Sequence, residues 1–83
     1  MNGKLKVLIA DDEQLVCVLL QDMIDWEGIG LTPLGAVYDG NSAYQAICEQ
    51  EPDIVLTDIR MPGKDGLELV RLCQKENRTC EFV

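Results

Sequence analysis

Three aspartates carry the chemistry that the chain's residue types and spacing suggest. Asp11 and Asp12 directly follow the aliphatic run Leu5 to Ala10, and Asp58 directly follows a second run, Ile54 to Thr57. Acids that close apolar runs sit at strand ends, and if the two strands are neighbours the three carboxylates converge at one edge of a sheet. Crowded within several ångströms and uncompensated, they repel one another and destabilise the site. A hard divalent cation relieves this. Magnesium suits the set because it prefers oxygen donors, keeps several waters and takes one or two carboxylates alongside phosphate oxygens. The bland alternative is that all three are solvated loop acids, but their recurrence at equivalent strand ends favours the metal. No glycine-rich phosphate loop accompanies them, so a nucleotide site has little support.

Composition narrows the remaining chemistry. The 83 residues include no histidine, which excludes His-containing zinc sites and Ser-His or Cys-His catalysis. Fifteen acidic against seven basic residues give a formal charge of −8. That charge repels phosphate backbones and anionic membranes, so any DNA contact belongs to another domain. Cys17, Cys48, Cys73 and Cys80 show no C-x-x-C pair and read as reduced, small packing residues. No basic-then-apolar leader and no run near the ~20 residues of a membrane helix is visible, which points to the cytoplasm.

The elements that must position the aspartates follow from periodicity. Leu5 to Ala10 reads as a strand buried on both faces. From Gln14 to about Trp26, Val16, Leu19, Leu20, Met23 and Ile24 recur at helical spacing, with Gly28 and Gly30 ending the helix. Leu34 to Tyr38 reads as a strand before an Asp39-Gly40 turn, and Asn41 or Ser42 can cap the next helix. Pro52-Asp53 breaks that helix before the strand Ile54 to Thr57. Turn residues Met61 to Gly66 lead into a helix with Leu67, Leu69, Val70, Leu72 and Cys73 on its apolar face, and a further strand starts at Cys80. Strands alternating with helices of about 10 residues build βαβ units around a parallel sheet, an α/β layer structure of three and a fraction units.

Two stretches, Val7-Leu8-Ile9-Ala10-Asp11-Asp12-Glu13 and Pro52-Asp53-Ile54-Val55-Leu56-Thr57-Asp58-Ile59-Arg60-Met61-Pro62-Gly63-Lys64-Asp65-Gly66, give the chain a family likeness. It resembles the receiver domain of bacterial two-component response regulators. The resemblance implies a flavodoxin-like three-layer α/β sandwich with strand order 2-1-3-4-5. It implies that Asp58 is the phosphoacceptor, that Asp11 and Asp12 hold Mg²⁺ with Asp58, and that the backbone carbonyl of Arg60 is a further metal ligand. Pro62 and Gly66 would shape the loop beneath the site. It implies a sensor histidine kinase as phosphoryl donor, and no enzymatic activity beyond self-phosphorylation at Asp58 and its reversal. The phrase Asp58 to Gly63 with Leu67-Glu68-Leu69 looks most like receivers attached to AraC-type transcriptional regulators.

A complete receiver has five βα units in roughly 120 residues, an ordinary domain size. Residues 1–83 are thus expected to be a partial receiver of about three and a half units, without the output domain. The Ser or Thr after the fourth strand and the Lys after the fifth, which the family uses around the phosphoryl group, are not among them. Apolar residues short of partners, Leu15, Val16, Val18 and Leu20 among them, would make a monomer poorly stable and favour a homo-oligomer. Lys64, where the family often has an apolar residue, is expected in solvent. Two competing functions are a Mg²⁺-dependent phosphohydrolase using Asp58 as nucleophile, which lacks a visible general acid, and an interaction module in which phosphorylation plays no part.

Overall fold

The computed structural model describes residues 5–58, 61, 63–76, 78 and 80–83. Its centre is β1 (Leu5–Ala10), whose alternating side chains feed both faces of a sheet. Leu8 and Ala10 join one buried cluster, and Val7 and Ile9 join the other. β3 (Ile54–Thr57) repeats the pattern, with Val55 on the first face and Ile54 and Leu56 on the second. A strand apolar on both sides must lie in the interior of a sheet covered twice, and both strands do. With β2 (Leu31–Val37) and β4 (Glu81–Phe82) they form a parallel sheet in the order β2-β1-β3-β4. This is the flavodoxin-like arrangement expected of the sequence, incomplete at four strands.

Helices cover both faces. α1 (Gln14–Met23) lies over the Val7–Ile9 face, where Cys17 and Trp26 are buried. α2 (Gly40–Gln50) and α3 (Gly66–Lys75) cover the other face with Ala43, Ala46, Ile47, Leu69 and Cys73. Each large aliphatic residue taken wholly out of water there contributes about 1.5–3 kcal/mol. Among the described residues no helix is long and apolar enough to cross a membrane.

Several expected boundaries move. α1 stops at Met23 because Ile24 is extended, and the chain then makes a short 3₁₀ turn, Glu27–Ile29, that tucks Trp26 against the sheet. Met23 is 77% exposed, so the helical periodicity overstated the buried face. β2 starts at Leu31 rather than Leu34 and passes through Pro33, whose missing N–H an edge strand tolerates because no second neighbour needs a donor there. Its register against β1 slips between Val7 and Ile9, next to Gly35 at φ 107°. α2 is capped by Asp39, not by Asn41 or Ser42: the Asp39 carboxylate accepts from the Ser42 N–H at 2.8 Å and from the Ser42 hydroxyl at 2.9 Å. In α3, Leu67 faces solvent at 58% exposure, while Asp65 and Glu68 form a reciprocal capping box.

Candidate functional site

The register of the two central strands brings the three aspartates together. Ala10 stands opposite Thr57, the Asp58 N–H donates to the Ala10 carbonyl at 2.9 Å, and the Asp11 N–H donates to the Val37 carbonyl at 3.1 Å. Asp11 and Asp58 therefore leave the sheet side by side, with Asp12 one residue on. One carboxylate oxygen from each of the three lies within 4.8 Å of the others. Asp11 and Asp58 are half-buried and Asp12 is exposed. Asp11 and Asp58 border a depression of about 320 Å³ that Leu20, Leu56, Thr57 and Val83 also line.

Local contacts hold these groups. The Glu13 N–H donates to Asp11 Oδ1 at 2.9 Å, orienting that carboxylate. The buried Cys17 thiol donates to the Asp11 carbonyl at 3.5 Å, which ties α1 to the end of β1. Burial first, and then the neighbouring Asp11 charge, push the Cys17 thiol pKa up, so it remains a neutral packing group. On the other side the Thr57 hydroxyl donates to the Asp58 carbonyl at 3.0 Å.

The donor set can be tested against magnesium. Octahedral coordination at about 2.0–2.1 Å places ligand oxygens about 3 Å apart when adjacent and about 4 Å apart when opposite. Oxygens already within 4.8 Å reach that geometry by side-chain rotation. All three are hard carboxylate donors open to water on one side, so the residues fit a magnesium ion that retains several waters. Among the described residues this is the one group of three acidic or soft ligands so gathered. The Arg60 carbonyl and Pro62 lie outside the described residues.

Gly63 and Lys64 are braced by the start of α2, a feature sequence reasoning read only as a turn. At Gly40 any Cβ would collide with the backbone carbonyl of Lys64, so only glycine lets the two segments approach this closely. Gly63 adopts φ 79°, and a Cβ on it would meet the Asn41 side chain at 2.8 Å. Lys64 is half-buried as a residue, and its ammonium, on the exposed side, donates to Asn41 Oδ1 at 2.9 Å. The signal was the Asp39-Gly40-Asn41 run, but nothing in the sequence said which segment the glycine admits.

A larger groove, about 460 Å³, opens at the other end of the sheet between Lys6, Glu51, Asp53, Glu76, Arg78 and Cys80. Its polar groups are already bonded to one another: Lys6 Nζ to the Gln50 carbonyl, the Lys6 N–H to Asp53, and Arg78 to Glu76. Size alone does not make it the functional site. The convergence of three acids at adjoining strand ends does.

Known proteins bear on this geometry. The response regulator receiver domain family matches residues 7–83. A transcriptional regulatory protein of Bacillus subtilis, YesN, is 37% identical over 94% of this chain, which spans 21% of that relative. The receiver domain of AraT from Geobacillus stearothermophilus superimposes with a TM-score of 0.86 at 29% identity, covering 94% of this chain and 60% of that one. A two-component transcriptional regulator AraC from Clostridium phytofermentans gives 0.82 at 35% identity, over 95% of this chain and 64% of that one. With a match that runs over residues 7–83, the chain belongs to the response regulator receiver domain family.

Proposed function

We propose that this partial receiver accepts a phosphoryl group on Asp58 and holds Mg²⁺ with Asp11, Asp12 and Asp58, joined by the Arg60 carbonyl. The observation that carries the reading is the convergence of three carboxylate oxygens at adjoining strand ends. An Asp58 oxygen attacks the phosphorus of a phosphohistidine on a sensor histidine kinase in line. The new O–P bond forms as the P–N bond breaks, and the imidazole leaves. Asp58 acts as nucleophile, while Asp11 and Asp12 hold their charges beside it. Bound magnesium supplies neutralisation of the phosphoryl oxygens. The likeness to YesN and to the AraC-type regulator supports an output in transcription, with DNA contacted by a domain beyond residues 1–83. A cytoplasmic location follows from that role.

Incubation with acetyl phosphate and Mg²⁺, read by intact mass, tests the reading. A gain of one phosphoryl group that Asp58→Asn abolishes is expected; no gain, or a gain that survives Asp58→Asn, overturns it. Magnesium affinity is expected in the roughly millimolar range of ions that keep several waters. Asp12→Ala should suppress Mg²⁺-induced NMR shifts, and unchanged shifts remove Asp12 from the ligand set.

Self-association belongs to the same proposal. Leu15, Val18 and Leu19 on α1 are 70%, 49% and 46% exposed. A second copy would cover such surfaces by burying more than about 1,000 Å². Light scattering that finds only monomer at micromolar concentration rejects it.

A further inference from the structure

Three of the four cysteines gather far from the aspartates, at the end of the sheet where β4 begins. Cys73 lies in the last turn of α3, 2% exposed within the cluster beneath α2 and α3. The Arg78 N–H donates to the Cys73 carbonyl at 2.9 Å, which turns the chain back on the helix end. That turn brings Cys80, half-buried, against the same cluster, near enough to Cys73 for the two thiols to act on each other electrostatically. Cys80 also lines the groove of about 460 Å³ and is the less buried of the two. Cys48 of α2 and the Arg78 guanidinium are close enough to act electrostatically on Cys73.

We propose that Cys73 and Cys80 are a reversible thiol-oxidation site, closing to a disulfide that joins the end of α3 to the start of β4. The co-reactant is a small-molecule disulfide such as oxidised glutathione. The Cys80 thiolate, the less buried one, attacks a sulfur of that disulfide; the mixed disulfide forms and one glutathione leaves as a thiolate that takes up the proton Cys80 lost. Cys73 then loses its proton to water and attacks the Cys80 sulfur. The internal disulfide forms and a second glutathione leaves, so two protein thiols are oxidised as one small disulfide is reduced to two thiols. The order follows from burial, which holds the Cys73 thiol neutral with a pKa pushed up to about 11 and makes it the resolving rather than the attacking group. Reducing conditions leave all four cysteines as thiols, and the chemistry is independent of Asp58.

The test uses the whole chain. After incubation with oxidised glutathione, denaturation and alkylation, the number of reactive thiols is expected to fall from four to two. Trypsin, cutting after Arg71, Lys75 and Arg78, should release Leu72–Lys75 joined to Thr79–Val83, and dithiothreitol should separate them. Cys80→Ser should keep its three remaining thiols through the same treatment, whereas Cys48→Ser should lose two of three. Four thiols surviving oxidation, a reaction that stops at a glutathione adduct on Cys80, or a link to Cys48 in place of Cys73 would each overturn the assignment.

Discussion

The two faces of the sheet are filled unequally. Beneath α2 and α3, nine residues from Leu8 to Cys73 are buried in one cluster, while beneath α1 only Val7, Ile9, Cys17 and Trp26 are, and Leu20, Ile24, Ile54 and Leu56 remain half-buried around them. The same two strands supply both faces, so the difference lies in what covers them. The site straddles this boundary. Gly63 and Lys64 are held from the closed side, through Gly40 and Asn41, whereas Asp11 is tied to the open side through Cys17.

The comparison breaks most directly in the core. Leu8→Ala on the closed face should cost about 2–5 kcal/mol in urea unfolding, because the surrounding side chains can collapse only partly into the hole. Leu56→Ala on the open face, already half-buried, should cost roughly half as much or less. Equal losses would mean that α1 covers its face as tightly as α2 and α3 cover theirs. Next in size, Gly40→Ala should cost about 1–3 kcal/mol by overpacking against the Lys64 backbone and should displace the Mg²⁺-dependent NMR shifts of the loop after Asp58. A variant as stable as the parent, with unchanged shifts, would remove the brace from the account.

Smaller effects sharpen the same contrast at the helix starts on the closed side. Asp65→Ala removes half of a capping box and should cost about 1 kcal/mol in the same urea experiment. Asp39 is smaller still and depends on pH. Hydrogen bonds from the Ser42 backbone, and then from its hydroxyl, hold the Asp39 carboxyl below the usual carboxylate range. A lowered folded pKa means that its contribution is present above the ordinary value of about 3.9 and is lost as pH falls through the folded value. Asp39→Asn keeps a capping oxygen but not the titration, so it should flatten the acid limb of stability against pH. An unaltered limb assigns the pH dependence to other acids.

What the sequence showed and what it hid divide along physical lines. β1 and β3 were legible because a strand buried on both faces is an unbroken aliphatic run, and their ends placed Asp11, Asp12 and Asp58 before any coordinates. β2 was less so: Pro33 and Gly35 argue against an interior strand, and only its edge position makes both acceptable. α1 was overextended because Ile24 and Trp26 continue the apolar spacing while serving a turn against the sheet. The contacts of Gly40 and Lys64 were invisible for a different reason. They join segments 24 positions apart, and a close approach of two backbones leaves no periodicity to read.

Trp26 has an optical consequence. It is the chain's single tryptophan, 7% exposed among Val7, Ile9 and Cys17, with its indole Nε1–H lacking a hydrogen-bond partner among the described residues. An indole in such a setting emits towards the blue, and its spectrum is sensitive to any acceptor that arrives at the ring nitrogen. Intrinsic fluorescence of this protein therefore reports on the α1 face and stays nearly silent to events confined to the aspartates. A red shift would register water or another hydrogen-bond acceptor reaching the ring nitrogen, which makes the dye-free emission spectrum a selective sensor of the less covered half of the molecule.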